Sequence, residues 1–144
     1  MNNFLKLNNL SKKYEKNKSL KVLNNINFKF DSGKVYSIMG PSGSGKSTLL
    51  NLLSLIDIPS SGFIEFNKNK IDINSSIEND YIRSKNIGII YQDKNLLPDF
   101  TALENVLLPN LLISNSRSKS TELAKKMIKK FDLTSRLNHY PSEL

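Results

Sequence analysis

The chain has 144 residues, a formal net charge of +8, one histidine and no cysteine. Without cysteine there is no disulfide framework, no thiolate nucleophile and no Cys-based zinc site, and the single His139 leaves no histidine-rich metal centre. The basic excess is scattered lysine with asparagine as its commonest neighbour, with no aromatic-interleaved stripe, so it reads as a solvated surface and no nucleic-acid partner is expected.

Met1 to Lys6 lacks the apolar core and cleavage site of a leader, and no apolar run approaches the ~20 residues that span a bilayer. The expected location is cytoplasmic, or at a membrane through a partner. Residues 4–10 and 22–30 alternate apolar with polar, which predicts half-buried antiparallel strands. Between them lies a polar loop, Ser11 to Lys18, with one aromatic, Tyr14. Asp31-Ser32-Gly33-Lys34 turns the chain into the apolar run Val35 to Met39, read as a buried strand.

Gly40-Pro41-Ser42-Gly43-Ser44-Gly45-Lys46-Ser47-Thr48 follows that run and precedes Leu49-Leu50-Asn51-Leu52-Leu53. Strand, glycine-rich turn and helix in this order define a P-loop. The glycines let successive N–H groups converge on one concavity, which opens onto a helix N-terminus that favours an anion. Lys46 suits the β- and γ-phosphates of a nucleotide, and the Ser47 hydroxyl suits Mg²⁺. A flexible Gly/Ser linker needs neither the Lys-Ser-Thr ending nor the flanking elements.

The helix after the loop is predicted over about 46–56, with Leu49, Leu52, Leu53 and Ile56 as its apolar stripe and Leu50 widening it. Asp57 to Gly62 ends it, and short strands 63–66 and 71–73 flank a turn at 67–70. A weak helix includes Tyr81-Ile82-Arg83, and Ile87 to Tyr91 reads as a fully buried strand. Gln92 stands at its end, where open α/β sheets place ligand contacts. Thr101 and Glu104 have capping-box spacing, with Pro109 expected to kink or end that helix. Over 121–131, Leu123, Ala124, Met127, Ile128 and Phe131 form a core face and Lys125, Lys126, Lys129 and Lys130 a solvated one.

Antiparallel strands before the loop, an upstream aromatic and a glutamine after the next apolar run together resemble the ATP-binding subunit of ABC transporters, along the whole chain. The stretches Tyr91-Gln92, Leu96 to Val106, Arg136 to His139 and Pro141 to Leu144 are most similar to the ATPase of the lipoprotein-releasing (Lol) type. The resemblance implies an α/β fold: a P-loop NTPase of the ABC ATPase type, with an antiparallel β subdomain, an incomplete parallel core sheet and the start of a helical subdomain. Residues 1–92 are then the β and P-loop core up to the Gln loop, and 93–144 the start of the helical subdomain of a C-terminally truncated domain.

By the same resemblance Tyr14 stacks on the adenine, residues Gly40, Pro41, Ser42, Gly43, Ser44, Gly45, Lys46, Ser47 and Thr48 hold the phosphates of ATP, and Gln92 joins Ser47 at Mg²⁺. Implied partners are transmembrane permease subunits and a second copy of the ATPase, at the cytoplasmic face of the inner membrane, with lipoprotein release as the work done. In the family, Pro-Ser-Glu-Leu runs into a Ser-Gly-Gly signature. The signature loop, second Mg²⁺-binding Asp, catalytic Glu and switch His fall outside this chain. ATP hydrolysis is thus a family expectation, with no catalytic residue within 1–144 and no turnover expected from it alone. Asp93 follows Tyr91-Gln92 and is not expected to bind Mg²⁺, and His139 is not the switch residue. Departures are Asn67-Lys68-Asn69 in place of an Asp-Gly turn, and Asp93-Lys94-Asn95 at the expected membrane-partner surface. Alternatives are an ATPase of the macrolide-exporter or cell-division type, a non-catalytic nucleotide-binding module, and a P-loop kinase or GTPase. The last is disfavoured by the antiparallel strands before the loop and by the absence of an Asn-Lys-x-Asp motif.

Overall fold

Alternation in the first strand carries one break in parity. Leu5 and Leu7 are in phase, but Leu10 is not, and all three are buried. A bulge resolves the conflict: the pairing register shifts between Leu7 and Leu10, and Asn9 takes φ 48°. Asn suits that left-handed conformation, and its side chain and N–H are both tied to the Asn27 amide at 2.8 and 2.9 Å. The computed structural model describes residues 3–14, 20–72, 75–92, 95–114 and 116–144, in two compact units, Met1–Ile89 and Ile90–Leu144.

In the first unit β1 (Asn3–Tyr14), β2 (Leu20–Asp31), β3 (Ser61–Phe66) and β4 (Asn69–Lys70) make a four-stranded antiparallel sheet in the order β2-β1-β3-β4. Tyr14 therefore ends β1, paired with Leu20, rather than lying in the loop expected for it. Helix α1 (Lys46–Leu53) lays Leu52, fully buried, on Leu5, Leu7, Leu10, Leu23 and Ile64. It stops short of the expected residue 56. Leu55 N–H returns to Leu52 O, Ile56 N–H returns to Asn51 O, and Leu55 sits at φ 57°, a Schellman-type end without glycine. Ile56, beyond that end, is exposed, and Leu50, within the helix, faces outward, so neither extends the stripe.

The turn between β3 and β4 is two residues, Asn67 at φ 49° and Lys68 at φ 70°. The second strand is Asn69–Lys70, with Ile71 still bonded to Ile64 O beyond it; Ile73 lies outside the described residues. Both turn residues are left-handed, as a type I′ hairpin requires, and lysine is strained there. Lys68→Gly is expected to stabilise the fold by about 0.5–1 kcal/mol, read as a higher denaturant midpoint at constant slope. Helix α2 (Ser76–Asn86) is capped by Ser75, and Arg83 anchors it by donating to Leu55 O at 2.9 Å.

The runs 35–39 and 87–91 differ from their reading as buried strands. Neither joins a ladder among the described residues, and Val35 and Ile90 are each 100% exposed. Their apolar composition suits a central strand, but a strand needs neighbours on both edges. The described sheet is antiparallel throughout, and no parallel pair forms within it. Tyr36 still ties the first run to β2, accepting from Asp31 N–H at 2.9 Å and packing edge-on against Phe28 and Phe30.

In the second unit α3 (Ala102–Leu111) opens with a complete Thr101–Glu104 capping box and continues two residues past Pro109, which does not end it. Asn105 staples the preceding loop through Leu97 N–H, Leu97 O and Phe100 O. Leu96, Leu97 and Phe100 there are partly exposed. Helix α4 (Arg117–Lys130) packs on α3 through Ser120, Ala124 and Ile128. Its inner face is rotated from the expected one, leaving Leu123, Met127 and Phe131 exposed. Ser120 can be buried because its hydroxyl reaches both Asn110 Oδ1 and Ser114 Oγ.

Candidate functional site

The phosphate loop leaves β2 through residues 32–40 and closes on α1. Gly45 is the N-cap, at φ 90°. Two constraints demand glycine here. The φ is left-handed, and a Cβ would stand 3.0 Å from Leu23 Cδ2, 3.1 Å from Val22 Cγ1 and 3.2 Å from Val22 O. The helix start is thereby pressed onto β2. No side chain caps α1, and its first turn carries no acidic residue, so its leading N–H groups face the loop with nothing anionic competing.

Val22, Ser42, Gly43, Gly45, Lys46, Ser47 and Thr48 line a concavity of about 450 Å³. Of the residues expected to hold phosphates, Gly40, Pro41 and Ser44 act from behind this lining. Ser44 N–H bonds Pro41 O at 3.3 Å, and the Lys46 ammonium donates to Gly40 O at 2.8 Å and Pro41 O at 2.7 Å. An ammonium has three donors, so Lys46 can hold the loop's curl and still address an anion. Ser47 is exposed on the first turn of α1. Among the described residues no group of three or more His, Cys, Asp or Glu side chains could hold a metal. A hydroxyl beside a phosphate cradle is nonetheless a fit for Mg²⁺, which keeps waters and shares its ligands with phosphates. Val22 is a lining residue that sequence reasoning missed, because its side chain was assigned only to an alternating strand.

Tyr14 is not among the lining residues. Its hydroxyl donates to Asp57 Oδ2 at 2.9 Å, and the Lys12 ammonium lies 4.9 Å from its ring centroid. Gln92 is exposed at the start of the second unit and is not part of the lining. Asp93 lies outside the described residues. His139 bonds the Arg136 guanidinium at 3.2 Å, and its carbonyl accepts from Ala102 N–H, a role in docking the start of α3.

Partial burial acts to raise the Asp57 carboxyl. The Lys12 hydrogen bond, the Ile58 N–H, the Tyr14 hydroxyl and the Lys12 charge outweigh it and hold the group below the usual carboxylate value. A carboxyl lowered on folding adds stability that is complete above its unfolded pKa and is lost as pH falls through the folded one. The acid limb of the melting temperature is therefore expected to begin in the ordinary carboxylate range, to run on below it to the lowered folded value, and to shrink in Asp57→Asn, as measured by thermal melts from neutral pH downwards.

A glycine-rich loop running from an extended segment into a helix N-terminus, with lysine and serine on the first turn, has the arrangement of a P-loop. The model of the ABC transporter family matches residues 23–144, and the chain belongs to that family. The lipoprotein-releasing system ATP-binding protein LolD of Wigglesworthia glossinidia brevipalpis is 46% identical over 147 aligned positions, which take in all of this chain and 64% of that protein. The chain thus spans less than two thirds of that relative. Two dimeric structures of the bacterial ABC transporter cassette MJ0796, one in a post-hydrolysis state with ADP and Pi, superpose with a TM-score of 0.87 at 36% identity, over 97% of this chain and 62% of theirs. Its α/β fold is that of the N-terminal part of an ABC ATPase cassette. Among the described residues no helix is long and apolar enough to cross a membrane.

Proposed function

We propose that the chain is the nucleotide-binding part of an ABC transporter ATPase whose binding and hydrolysis of ATP drive lipoprotein release from the inner membrane. The observation that carries the nucleotide half is the concavity at the uncapped start of α1, closed by Lys46 and Ser47. The likeness to LolD supports the lipoprotein half. Gly40 to Thr48 hold the phosphates, Lys46 offsets their charge, Ser47 and Gln92 serve Mg²⁺, and Tyr14 offers its ring to the adenine. ATP with Mg²⁺ supplies the phosphoanhydride bond whose cleavage powers the cycle. The chain's own groups bind and orient it. Permease subunits and a second ATPase copy are the partners, at the cytoplasmic face of the inner membrane.

Comparing ATP with inorganic triphosphate tests this reading, since only ATP carries a base. Aromatic stacking contributes about 1–3 kcal/mol by alanine substitution. Tyr14→Ala is expected to weaken ATP by that amount and leave triphosphate unchanged, by calorimetry on the full-length protein. Equal loss of both ligands would show that Tyr14 serves only the strand end.

A further inference from the structure

Tyr14 is held in place from two directions. Asp57 Oδ2 accepts from its hydroxyl, while Asp57 Oδ1 accepts from the Lys12 ammonium and from Ile58 N–H. Lys12 donates further to Ile58 O at 2.7 Å and sits over the tyrosine ring. One carboxylate thus gathers the end of β1 and the turn that follows α1. Tyr14 as a whole remains 39% exposed.

Core packing does not require this cluster. Lys12 and Asp57 have side chains 11% and 27% exposed, and a partly desolvated ion pair adds little net stability. What the cluster does is fix a ring plane. The Lys12 ammonium lies over one face of the ring, 4.9 Å from its centroid, so a flat ligand stacking on Tyr14 would use the other. An exposed aromatic that is ordered before binding spares the ligand the entropy of ordering it. Asp57 lies in the turn that follows the helix whose first residue is Lys46, and its N–H returns to Asn51 O of that helix, so α1 links the phosphate cradle at its start to the tether of the ring beyond its end.

We propose that Asp57, together with Lys12, is a positioning residue for a purine base: it holds the Tyr14 ring in register with the phosphate loop through α1. This rests on Tyr14 being the base platform. Asp57 touches no phosphate and acts only through the ring.

The test is a double-mutant cycle on the ratio of ATP to inorganic triphosphate affinity, both measured with Mg²⁺ on the full-length protein. Asp57→Ala is expected to lower that ratio roughly tenfold, within the range that stacking supplies, with triphosphate affinity unchanged. In a Tyr14→Ala background the same substitution is expected to change the ratio no further, because coupled groups are non-additive. Asp57→Asn keeps the shape but removes the charge that holds Lys12 over the ring. It is expected to give a smaller loss in the same direction, and it carries the cycle if the alanine variant does not fold. A ratio unmoved by the Asp57 variants while Tyr14→Ala lowers it overturns this inference and leaves the platform reading intact. An equal drop in both backgrounds also overturns it, since Asp57 would then act apart from the ring. A ratio unmoved by Tyr14→Ala itself overturns the platform reading and this inference with it.

Discussion

Lys46→Ala is expected to weaken binding of ATP with Mg²⁺ by about 2–4 kcal/mol, the scale for truncating one member of a hydrogen-bonded charge pair. The ammonium is the cation in the lining of the concavity, at the first residue of α1. Its hydrogen bonds to Gly40 O and Pro41 O bring it to the mouth of the loop, where the phosphates of a nucleotide would gather. Removing it deletes the charge and loosens the curl in one step. The fold is expected to survive, because these bonds are at the surface and α1 is held by Leu52 on the sheet. Calorimetry on the folded variant checks the result. Undiminished ATP affinity would mean that the loop is not the phosphate site.

The second large effect concerns stability. Gly62 lies opposite the β1 bulge at φ 78°, and a Cβ there would stand 2.3 Å from Asn9 O and 2.5 Å from Asn8 O. Those are backbone atoms of a paired strand, so they cannot turn aside as a side-chain tip would. Left-handed strain of about 1–2 kcal/mol and overpacking of about 1–3 kcal/mol act together. Gly62→Ala is therefore expected to cost about 2–5 kcal/mol, a large share of a domain's ordinary stability. A fall in melting temperature of about 6–20 °C follows. The damage falls on the strand pair that carries Leu7 and Ile64. A melting temperature within about 2 °C of the unaltered protein would contradict this packing.

These two sites also show what sequence alone discloses. The phosphate loop is legible because its signals are local: glycines at turn positions, lysine and serine on the next turn, an apolar helix behind. The Thr101–Glu104 capping box is legible for the same reason, its partners being three residues apart. Gly62 looks like an ordinary breaker in sequence. Its necessity arises from Asn8 and Asn9, more than fifty positions away, at a bulge that a period-2 pattern cannot display. The tether of Tyr14 to Asp57 spans 43 positions and pairs two residues read separately, one as a loop aromatic and one as a helix breaker. Val22 enters the concavity because Gly45 brings α1 against β2. The runs 35–39 and 87–91 mislead in the opposite direction: β-branched composition proposes a buried strand, but neighbouring edges decide whether a ladder forms. On α4 the rotation of the buried face follows from Ser120, whose hydroxyl is satisfied by Asn110 and Ser114, so a polar residue takes an inner position that periodicity assigns to leucine.

Most direct is a calorimetric titration of ATP with Mg²⁺ into the unaltered full-length protein, repeated in the presence of inorganic triphosphate. If residues 40–48 hold the phosphates, ATP saturates a site in each chain and triphosphate competes it away fully, shifting the apparent affinity in proportion to its own occupancy. ATP that saturates unperturbed by triphosphate, or that fails to saturate a folded protein at all, would contradict the phosphate loop as the site of binding.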